Sequence, residues 1–271
     1  MPDKSLHSID WDSIWEKAME RTTLKGEGVK FWDKAAPCLS KNYSCQNNYV
    51  EQLLKRMMLG SGKTILDVGC GTGTMALPLS KYAQQVTALD HSPAMLEILG
   101  NEIRGRLITN IRTLNVDFIE ADPKVAGKHD IVLASRSLPM GNLRKSLLKM
   151  EALSSNLCYL TWIASSRKLD EDVCRIMGKP YFPYPSYLII ANMLYTMGIY
   201  ASTELFEVKN NQVYGSLDEA VVSVLRGREI PDGQKKKICD YFSTVMKKTS
   251  EGWEYSFTDR WALIRWQKTE I

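Results

Sequence analysis

Long hydrophobic stretches are absent from this chain of 271 residues. No apolar run approaches the roughly 20 residues that a helix needs to cross a bilayer. The first seven residues, Met-Pro-Asp-Lys-Ser-Leu-His, also lack the basic and then apolar pattern of a secretory signal. Both absences argue against a membrane or secreted protein, and we expect a cytoplasmic location with no membrane partner.

Closely spaced cysteine pairs are absent as well. The six cysteines are scattered without a Cys-x-x-Cys pair, the spacing that is typical of zinc sites and redox motifs. In a reducing compartment they are expected to be free thiols, and the sequence predicts no metal site. Cys38 and Cys45 are the closest pair, which leaves open a metal or a thiophilic substrate at that place.

A strong excess of one charge is the third absence. The formal net charge is +4, and 24% of the residues are charged against 44% hydrophobic, as in ordinary globular proteins. Nucleic-acid binding would need a broad basic surface with aromatic stacking. The short lysine runs at 235–237 and 247–248 are instead expected on solvated helix faces, so no nucleic-acid partner is predicted.

The segment at 64–95 carries the strongest positive signal. Ile65, Leu66 and Val68 form a short apolar run that is typical of a buried parallel strand. Glycines at alternate positions then allow a sharp turn and the close approach of a ligand: Gly69, Gly71 and Gly73. A second strand ends in Asp90, and an acid at that tip can accept hydrogen bonds from ribose hydroxyls. The segment therefore predicts a cofactor that contains a nucleoside.

The spacing of the glycines indicates which cofactor this is. The dinucleotide fingerprint is Gly-x-Gly-x-x-Gly, whereas this chain has Gly-x-Gly-x-Gly with Asp67 two residues before the first glycine. Together with Leu-Asp-His-Ser-Pro-Ala-Met-Leu downstream, this pattern resembles motifs I and II of class I S-adenosylmethionine-dependent methyltransferases. The resemblance implies S-adenosylmethionine rather than NAD as cofactor, since an acid can attract its ammonium group, and S-adenosylhomocysteine as product.

The resemblance also implies a set of cofactor-binding residues. In this family an acid near the end of the third strand receives the adenine amino group, a position that Asp117 and Phe118 match, with Asp122 as a rival. Ser135 and Arg136 follow strand 4, where ligands of open α/β sheets bind, and are placed to meet the methionine end of the cofactor or the substrate. The predicted cofactor-binding residues are Asp67, Gly69, Cys70, Gly71, Thr72, Gly73, Asp90, His91, Met95, Asp117, Phe118, Ser135 and Arg136.

Alternating strands and helices predict an α/β fold. The resemblance makes it a doubly wound, Rossmann-like, mainly parallel sheet of seven strands with an antiparallel last strand. The strands are predicted at 65–68, 86–89, 111–118, 129–136, 157–163, 202–208 and 260–266. Residues 1–45 are predicted to form an N-terminal helical cap segment, and 46–271 the methyltransferase domain with a helical insertion at about 215–258.

Aromatic residues are concentrated outside the cofactor motifs. With the N-terminal helix and the region 166–200, they are predicted to enclose a mostly apolar pocket over the methyl group: Trp11, Trp15, Trp32, Tyr181, Phe182, Tyr184, Tyr187 and Tyr195. The alternative is that the N-terminal tryptophans only dock their helix on the core. Tyr43 and Tyr49 lie where the family often places a hydroxyl near the cofactor carboxylate.

The acceptor is less well defined than the cofactor. The Asn/Asp-Pro-Pro-Tyr box of amino-group methyltransferases and a Pro-Cys pair are both absent, and no His or Lys is marked as a general base, so no catalytic residue is assigned. The sequence indicates methyl transfer to a small molecule mainly by positioning of the reactants. An RNA or protein methyltransferase and a non-catalytic S-adenosylmethionine-binding protein are the alternatives, and the acceptor atom and oligomeric state stay open.

Overall fold

A computed structural model describes residues 4–22, 28–41, 47–137, 142–225, 230–231 and 233–268. The helices are α1 (Lys4–His7), α2 (Trp11–Arg21), α3 (Gly28–Lys41), α4 (Asn47–Leu54), α5 (Ala76–Leu79), α6 (Pro93–Gly105), α7 (Pro123–Ala126), α8 (Leu143–Leu153), α9 (Lys168–Ile176), α10 (Tyr187–Thr196), α11 (Leu217–Leu225) and α12 (Gln234–Val245). The strands are β1 (Thr64–Val68), β2 (Gln85–Asp90), β3 (Ile111–Asn115), β4 (His129–Ser135), β5 (Ser154–Ile163), β6 (Ser202–Tyr214), β7 (Lys247–Thr249) and β8 (Gly252–Gln267).

The strands form one sheet in the order β3-β2-β1-β4-β5-β8-β6, with β7 paired to β8 off this path. Strands β1 to β5 run parallel, and β8 runs antiparallel to β5, with Leu157 opposite Gln267 and Ile163 opposite Trp261. The predicted fold class is confirmed. Within the described residues, the three-residue strand β7 raises the number of strands from the predicted seven to eight.

Two strands are longer than predicted. β6 continues to Tyr214 and β8 begins at Gly252, so the predicted helical insertion holds α11 and α12 together with β7 and the start of β8. In the extension of β6, at 209–214, only Tyr214 is buried, and the residues before it alternate between exposed and half-buried. Because this extension has no apolar run, hydrophobic periodicity does not predict it as a strand.

The chain divides into two compact units. The first comprises Met1–Ala164, Tyr184–Phe206 and Trp261–Ile271, and the second comprises Ser165–Pro183 and Glu207–Arg260. Each unit has a hydrophobic core of its own, and Val173, Ile238 and Phe242 are fully buried in the core of the second. The predicted boundary between a cap segment at 1–45 and a domain at 46–271 stays a prediction.

The aromatic residues predicted to share one pocket belong to different cores. Trp15 is fully buried in the core of the first unit, with its ring centroid 5.1 Å from that of Trp162. Tyr184 and Tyr187 pack against the same core, whereas Tyr181 packs against the core of the second unit. The prediction of a single aromatic pocket is therefore wrong for Tyr181, and the docking alternative is correct for Trp15.

Side-chain caps begin two of the helices. Ser92 accepts a hydrogen bond from the backbone N–H of Met95 at 3.2 Å and begins α6, with Pro93 at its first position. At α11, Ser216 accepts from the N–H of Glu219, whose carboxylate in turn accepts from the N–H of Gly215 at 2.7 Å. The arrangement differs from a capping box only in that the Glu219 carboxylate accepts from Gly215 and not from the N-cap residue Ser216.

None of the helices within the described ranges is long and apolar enough to cross a membrane. In the same ranges no group of three or more His, Cys, Asp or Glu residues could hold a metal ion. Cys70, Cys158 and Cys239 are free thiols. Cys45, Tyr43 and the side chain of Cys38 lie outside the described residues.

His129 lies at the start of β4, at the opposite end of the sheet from the predicted site. Its Nδ1 is 3.2 Å from the carbonyl of Gly127 and its Nε2 is 2.8 Å from Oγ1 of Thr87, to which Arg112 also donates. A neutral ring satisfies both contacts, with Nδ1–H donating and Nε2 accepting. Burial lowers the pKa of His129 below its ordinary value of 6.5.

Because the folded pKa of His129 is lowered, the stabilisation from its neutral ring is present above pH 6.5 and is lost as the pH falls below that value. We expect the wild-type protein to exceed His129→Gln in free energy of unfolding at pH 7.5, with a smaller difference at pH 5.5. Urea denaturation of both proteins at the two pH values measures this. A difference that grows on acidification would contradict the assignment.

Candidate functional site

The glycine-rich turn joins the ends of β1 and β4. After Val68 the chain turns at Gly69, whose φ is +63°. A Cβ on Gly69 would lie only 2.5 Å from Cβ of Ser137, and the Ser137 hydroxyl donates to the carbonyl of Val68. The turn therefore needs glycine, because the two chain segments approach too closely for a side chain. β1 and β4 are also the neighbours at which the strand order reverses, where open α/β sheets bind ligands.

The same turn is bonded to the end of β2. The backbone N–H of Cys70 donates to the carbonyl of Leu89 at 3.0 Å, and that of Gly71 donates to Oδ2 of Asp90 at 2.8 Å. Gly71 has a φ of +55°, and an added Cβ would meet only Sδ of Met95, at 4.0 Å. The space beside Gly71 is thus open, and a side chain there would narrow it.

Asp90 holds this arrangement from the tip of β2. Its side chain is only 8% exposed, and each oxygen accepts one backbone N–H: Oδ2 from Gly71 and Oδ1 from Ser92, both at 2.8 Å. An ionised carboxylate can accept about four hydrogen bonds. Asp90 therefore keeps acceptor capacity for two ribose hydroxyls while its own orientation is fixed.

Asp67 is the most perturbed carboxyl group of the site. It is 1% exposed, and its Oδ2 has no hydrogen-bond partner among the described residues. Burial first, and then the charge of Asp90, raises its pKa to about 8, although Arg136 and the N–H of Ala76 act in the other direction. A buried charge without a partner is unfavourable, so a ligand that brings a positively charged N–H donor would fit this oxygen. Nε2 of His91 is a second buried atom of the site for which the described ranges hold no hydrogen-bond partner.

The segment after β3 lies at the same end of the sheet. β3 ends at Asn115, so the predicted extension of the strand to residue 118 is wrong. Asp117 closes a turn by accepting the N–H of Ile119 at 2.7 Å, and Phe118 is buried in the core of the first unit. The rival acid, Asp122, caps α7 by accepting the N–H of Lys124 at 2.8 Å.

A hydroxyl cluster, Tyr49, Ser135 and Thr161, lies at the ends of β4 and β5. The buried Tyr49 hydroxyl is 2.8 Å from Oγ of Ser135 and 2.7 Å from Oγ1 of Thr161. Thr161 Oγ1 also accepts the backbone N–H of Arg136 at 3.0 Å. Sequence reasoning marked Tyr49 but missed Thr161, whose one signal was a hydroxyl within the largely apolar run at 157–163.

Arg136 adopts a left-handed backbone conformation, with φ +59°, which is unusual for a residue other than glycine. Its guanidinium lies 4.2 Å from the ring centroid of Tyr49 and 6.0 Å from that of Trp261, a cation–π arrangement. Burial raises the pKa of Tyr49 above 10.0, so Tyr49 keeps its proton near neutral pH. The end of β4 thus presents a positive charge at a place fixed by aromatic rings.

The structure brings most of the predicted residues to one end of the sheet, through the turn after β1, the tips of β2 and β4 and the loop after β3. The sheet, with an antiparallel strand between β5 and β6, has the fold of class I S-adenosylmethionine-dependent methyltransferases. Residues 65–153 match the sequence profile of a family described as "Methyltransferase domain". Over these residues, about one third of its length, the chain carries a methyltransferase domain.

Similar proteins differ in how much of the chain they share. An uncharacterized protein of Haemophilus influenzae is 29% identical over 244 residues, which cover 89% of this chain and 90% of that one. A probable ribosomal RNA small subunit methyltransferase A of Methanosphaera stadtmanae is 32% identical over 83 residues, 31% of each chain. Magnesium protoporphyrin IX methyltransferase of Synechocystis, solved with bound S-adenosylhomocysteine, shares the fold with a TM-score of 0.50, 13% identity and 96% of each chain covered.

Proposed function

We propose that the protein transfers the methyl group of S-adenosylmethionine to a small-molecule acceptor, mainly by positioning it. The observation that supports the acceptor class is the charge of the second unit. Its two segments, 165–183 and 207–260, contain 13 Lys and Arg residues against 12 Asp and Glu. Methyltransferases that bind RNA need a positive surface along the phosphate backbone, and this unit has almost no net charge. A cytoplasmic location stays part of the proposal.

The residues of the site fit the cofactor by their chemistry. The unpartnered Oδ2 of Asp67 would accept from the ammonium of the methionine moiety, and the guanidinium of Arg136 would bind its carboxylate. Asp90 would hold the ribose hydroxyls, and the space beside Gly71 would let the cofactor approach the backbone. Asp117 and Phe118 would receive the adenine. The remaining predicted residues, Gly69, Cys70, Thr72, Gly73, His91, Met95 and Ser135, complete the proposed cofactor site.

Positioning is the proposed source of rate because the cofactor already supplies an electrophilic methyl group. The groups at the end of β4 do not accept protons readily near neutral pH: Tyr49 and Ser135 hold theirs, and Arg136 stays charged. Alignment of two bound reactants alone can contribute several kcal/mol to lowering a barrier. The site would thus align the cofactor with an acceptor that is nucleophilic already or that loses its proton to water.

A ribosomal RNA acceptor is the second candidate, because a probable methyltransferase of that kind matches part of the chain. One experiment distinguishes a small-molecule acceptor from a ribosomal RNA acceptor. The protein is incubated with S-adenosylmethionine labelled in the methyl group and with either a metabolite extract or ribosomal RNA. We expect label in molecules of low mass. Label in RNA alone would overturn the proposed acceptor class, and tight binding of NAD without S-adenosylmethionine would overturn the cofactor.

Replacement of Asp90 should weaken binding of the cofactor without unfolding the protein. Asp90→Ala removes the proposed acceptor of the ribose hydroxyls and the group that orients Gly71 and Ser92. Charge-assisted hydrogen bonds contribute about 1.5–3 kcal/mol each, so we expect affinity for S-adenosylhomocysteine to fall roughly tenfold or more. Calorimetry measures this, with the melting temperature recorded in parallel. Asp130→Ala, at the opposite end of the sheet, is the control, and an unchanged dissociation constant in Asp90→Ala would place the ribose elsewhere.

A further inference from the structure

Lys149 lies on α8 and reaches the loop that follows β3. Its Nζ donates to the backbone carbonyl of Ala121 at 2.6 Å and to that of Ile119. The same ammonium lies 5.7 Å from the ring centroid of Phe118, within the range of a cation–π contact. One side chain thus contacts three residues of a five-residue segment, 117–121, which we call the adenine loop.

The other end of the adenine loop is fixed by its own first residue. Asp117 accepts the N–H of Ile119 at 2.7 Å and that of Glu120 at 3.4 Å. These bonds satisfy donors of the turn, and Lys149 satisfies two of its carbonyls. Asp117 fixes the loop from within, whereas Lys149 hydrogen-bonds its carbonyls to α8, beside the core in which Phe118 and Ala121 are buried.

The setting of Lys149 is unusual for a lysine that only covers a surface. Partial burial lowers its pKa, and the nearby charges of Glu120, Asp117 and Asp122 oppose that effect. An ordinary surface lysine keeps its ammonium in water. Here the ammonium exchanges part of its hydration for two carbonyls of one loop, which indicates that the loop needs this contact for its shape.

We propose that Lys149 is a positioning residue that holds the adenine loop in the conformation that receives the adenine of the cofactor. This inference rests on the proposed assignment of Asp117 and Phe118 to the adenine. In this proposal Lys149 acts through the adenine loop and not on the methyl group or the acceptor. Loss of Lys149 should therefore lower the affinity for every ligand that contains adenosine. The factor should be the same whatever group is attached to the ribose.

The test measures two ligands by calorimetry: S-adenosylhomocysteine and 5′-methylthioadenosine, which lacks the amino-acid end. In Lys149→Met both affinities should fall by the same factor, roughly tenfold for a charged hydrogen-bonding group. Lys149→Arg, which keeps the charge and N–H donors, should recover most of the loss. Lys145→Met, at an exposed position one turn earlier on α8, is the matched control and should bind both ligands like the wild type.

The other outcomes are equally informative. Unchanged affinities in Lys149→Met, or a loss confined to S-adenosylhomocysteine, would overturn the inference, as would a loss that only follows a lower melting temperature. Lys149→Gln, which keeps one donor group on a shorter side chain, serves for the same comparison if the methionine variant does not fold. A wild-type protein that binds neither ligand would instead contradict the proposed function.

Discussion

Asp67→Asn should resist urea better than the wild-type protein although it binds S-adenosylmethionine more weakly. In the folded protein the pKa of Asp67 is about 8, against an ordinary value of 3.8. Between these pH values the unfolded chain releases a proton that the folded protein retains, so the stability of the wild type falls as the pH rises from 3.8 towards 8. Asparagine does not titrate. At pH 7 the free energy of unfolding of Asp67→Asn should therefore exceed that of the wild type by on the order of a few kcal/mol.

The affinity of the same variant should change in the opposite direction. Asp67 is proposed to accept a charge-assisted hydrogen bond from the cofactor's ammonium, and loss of such a bond costs about 1.5–3 kcal/mol, or roughly ten- to hundredfold in affinity. Ionisation of Asp67 on binding also predicts the release of about one proton at pH 7 by the wild type and none by the variant. Calorimetry in two buffers of different ionisation enthalpy measures both quantities.

Asp130 provides a control because its pKa is shifted in the opposite direction to that of Asp67. Its Oδ2 accepts the N–H and the hydroxyl of Thr64, both at 2.8 Å, and these bonds hold its pKa below the ordinary value. Asp130→Asn should therefore lose stability near neutral pH, whereas Asp67→Asn gains it. If Asp67→Asn is less stable than the wild type at pH 7, or releases as many protons on binding, Asp67 does not face the cofactor as a protonated acid.

Gly73→Ala should destabilise the protein by about 2–5 kcal/mol. The φ of Gly73 is +92°, which costs a residue with a side chain about 1–2 kcal/mol. The added Cβ would also lie 2.4 Å from Cδ1 of Leu99 and 3.1 Å from Cγ of Leu77, both buried. Such overpacking typically costs 1–3 kcal/mol more. Urea denaturation of the variant measures the sum.

Gly198 separates the two contributions. Its φ is +79°, but an added Cβ would meet nothing within 4 Å. Gly198→Ala should thus show only the backbone cost of about 1–2 kcal/mol, and the difference between the two variants gives the cost of the contact with Leu99. Equal losses in both would mean that the core beside Gly73 relaxes at no cost.

The parts of the site that the sequence predicted are local ones. The turn after β1 and the acid at the tip of β2 are each encoded within a few residues, so their pattern was readable without the fold. The cap of α6 by Ser92 is local for the same reason. Their assignment to the cofactor nevertheless remains a proposal, since binding is a property that the geometry supports and an experiment must measure.

The parts that the sequence could not predict depend on contacts between distant segments. Tyr49 meets Thr161 across 112 positions of sequence, and no local pattern encodes that pair. Lys149 reads as an ordinary helix lysine until the fold brings it to the loop after β3. Tyr181 was placed with the wrong aromatic partners for the same reason, because hydrophobic periodicity indicates burial but does not say in which core.

The position of β8 has a consequence for the synthesis of the chain. β8 is made after the seven other strands of the described residues, yet it lies between β5 and β6 in the sheet. At roughly 5–20 residues per second, a ribosome needs about 5–20 s to travel from the end of β5 to the start of β8. During that interval one side of β5 has no strand to pair with, and an unpaired edge is a template for association with other chains. The growing polypeptide is therefore most open to mispairing in the seconds before its final strand emerges.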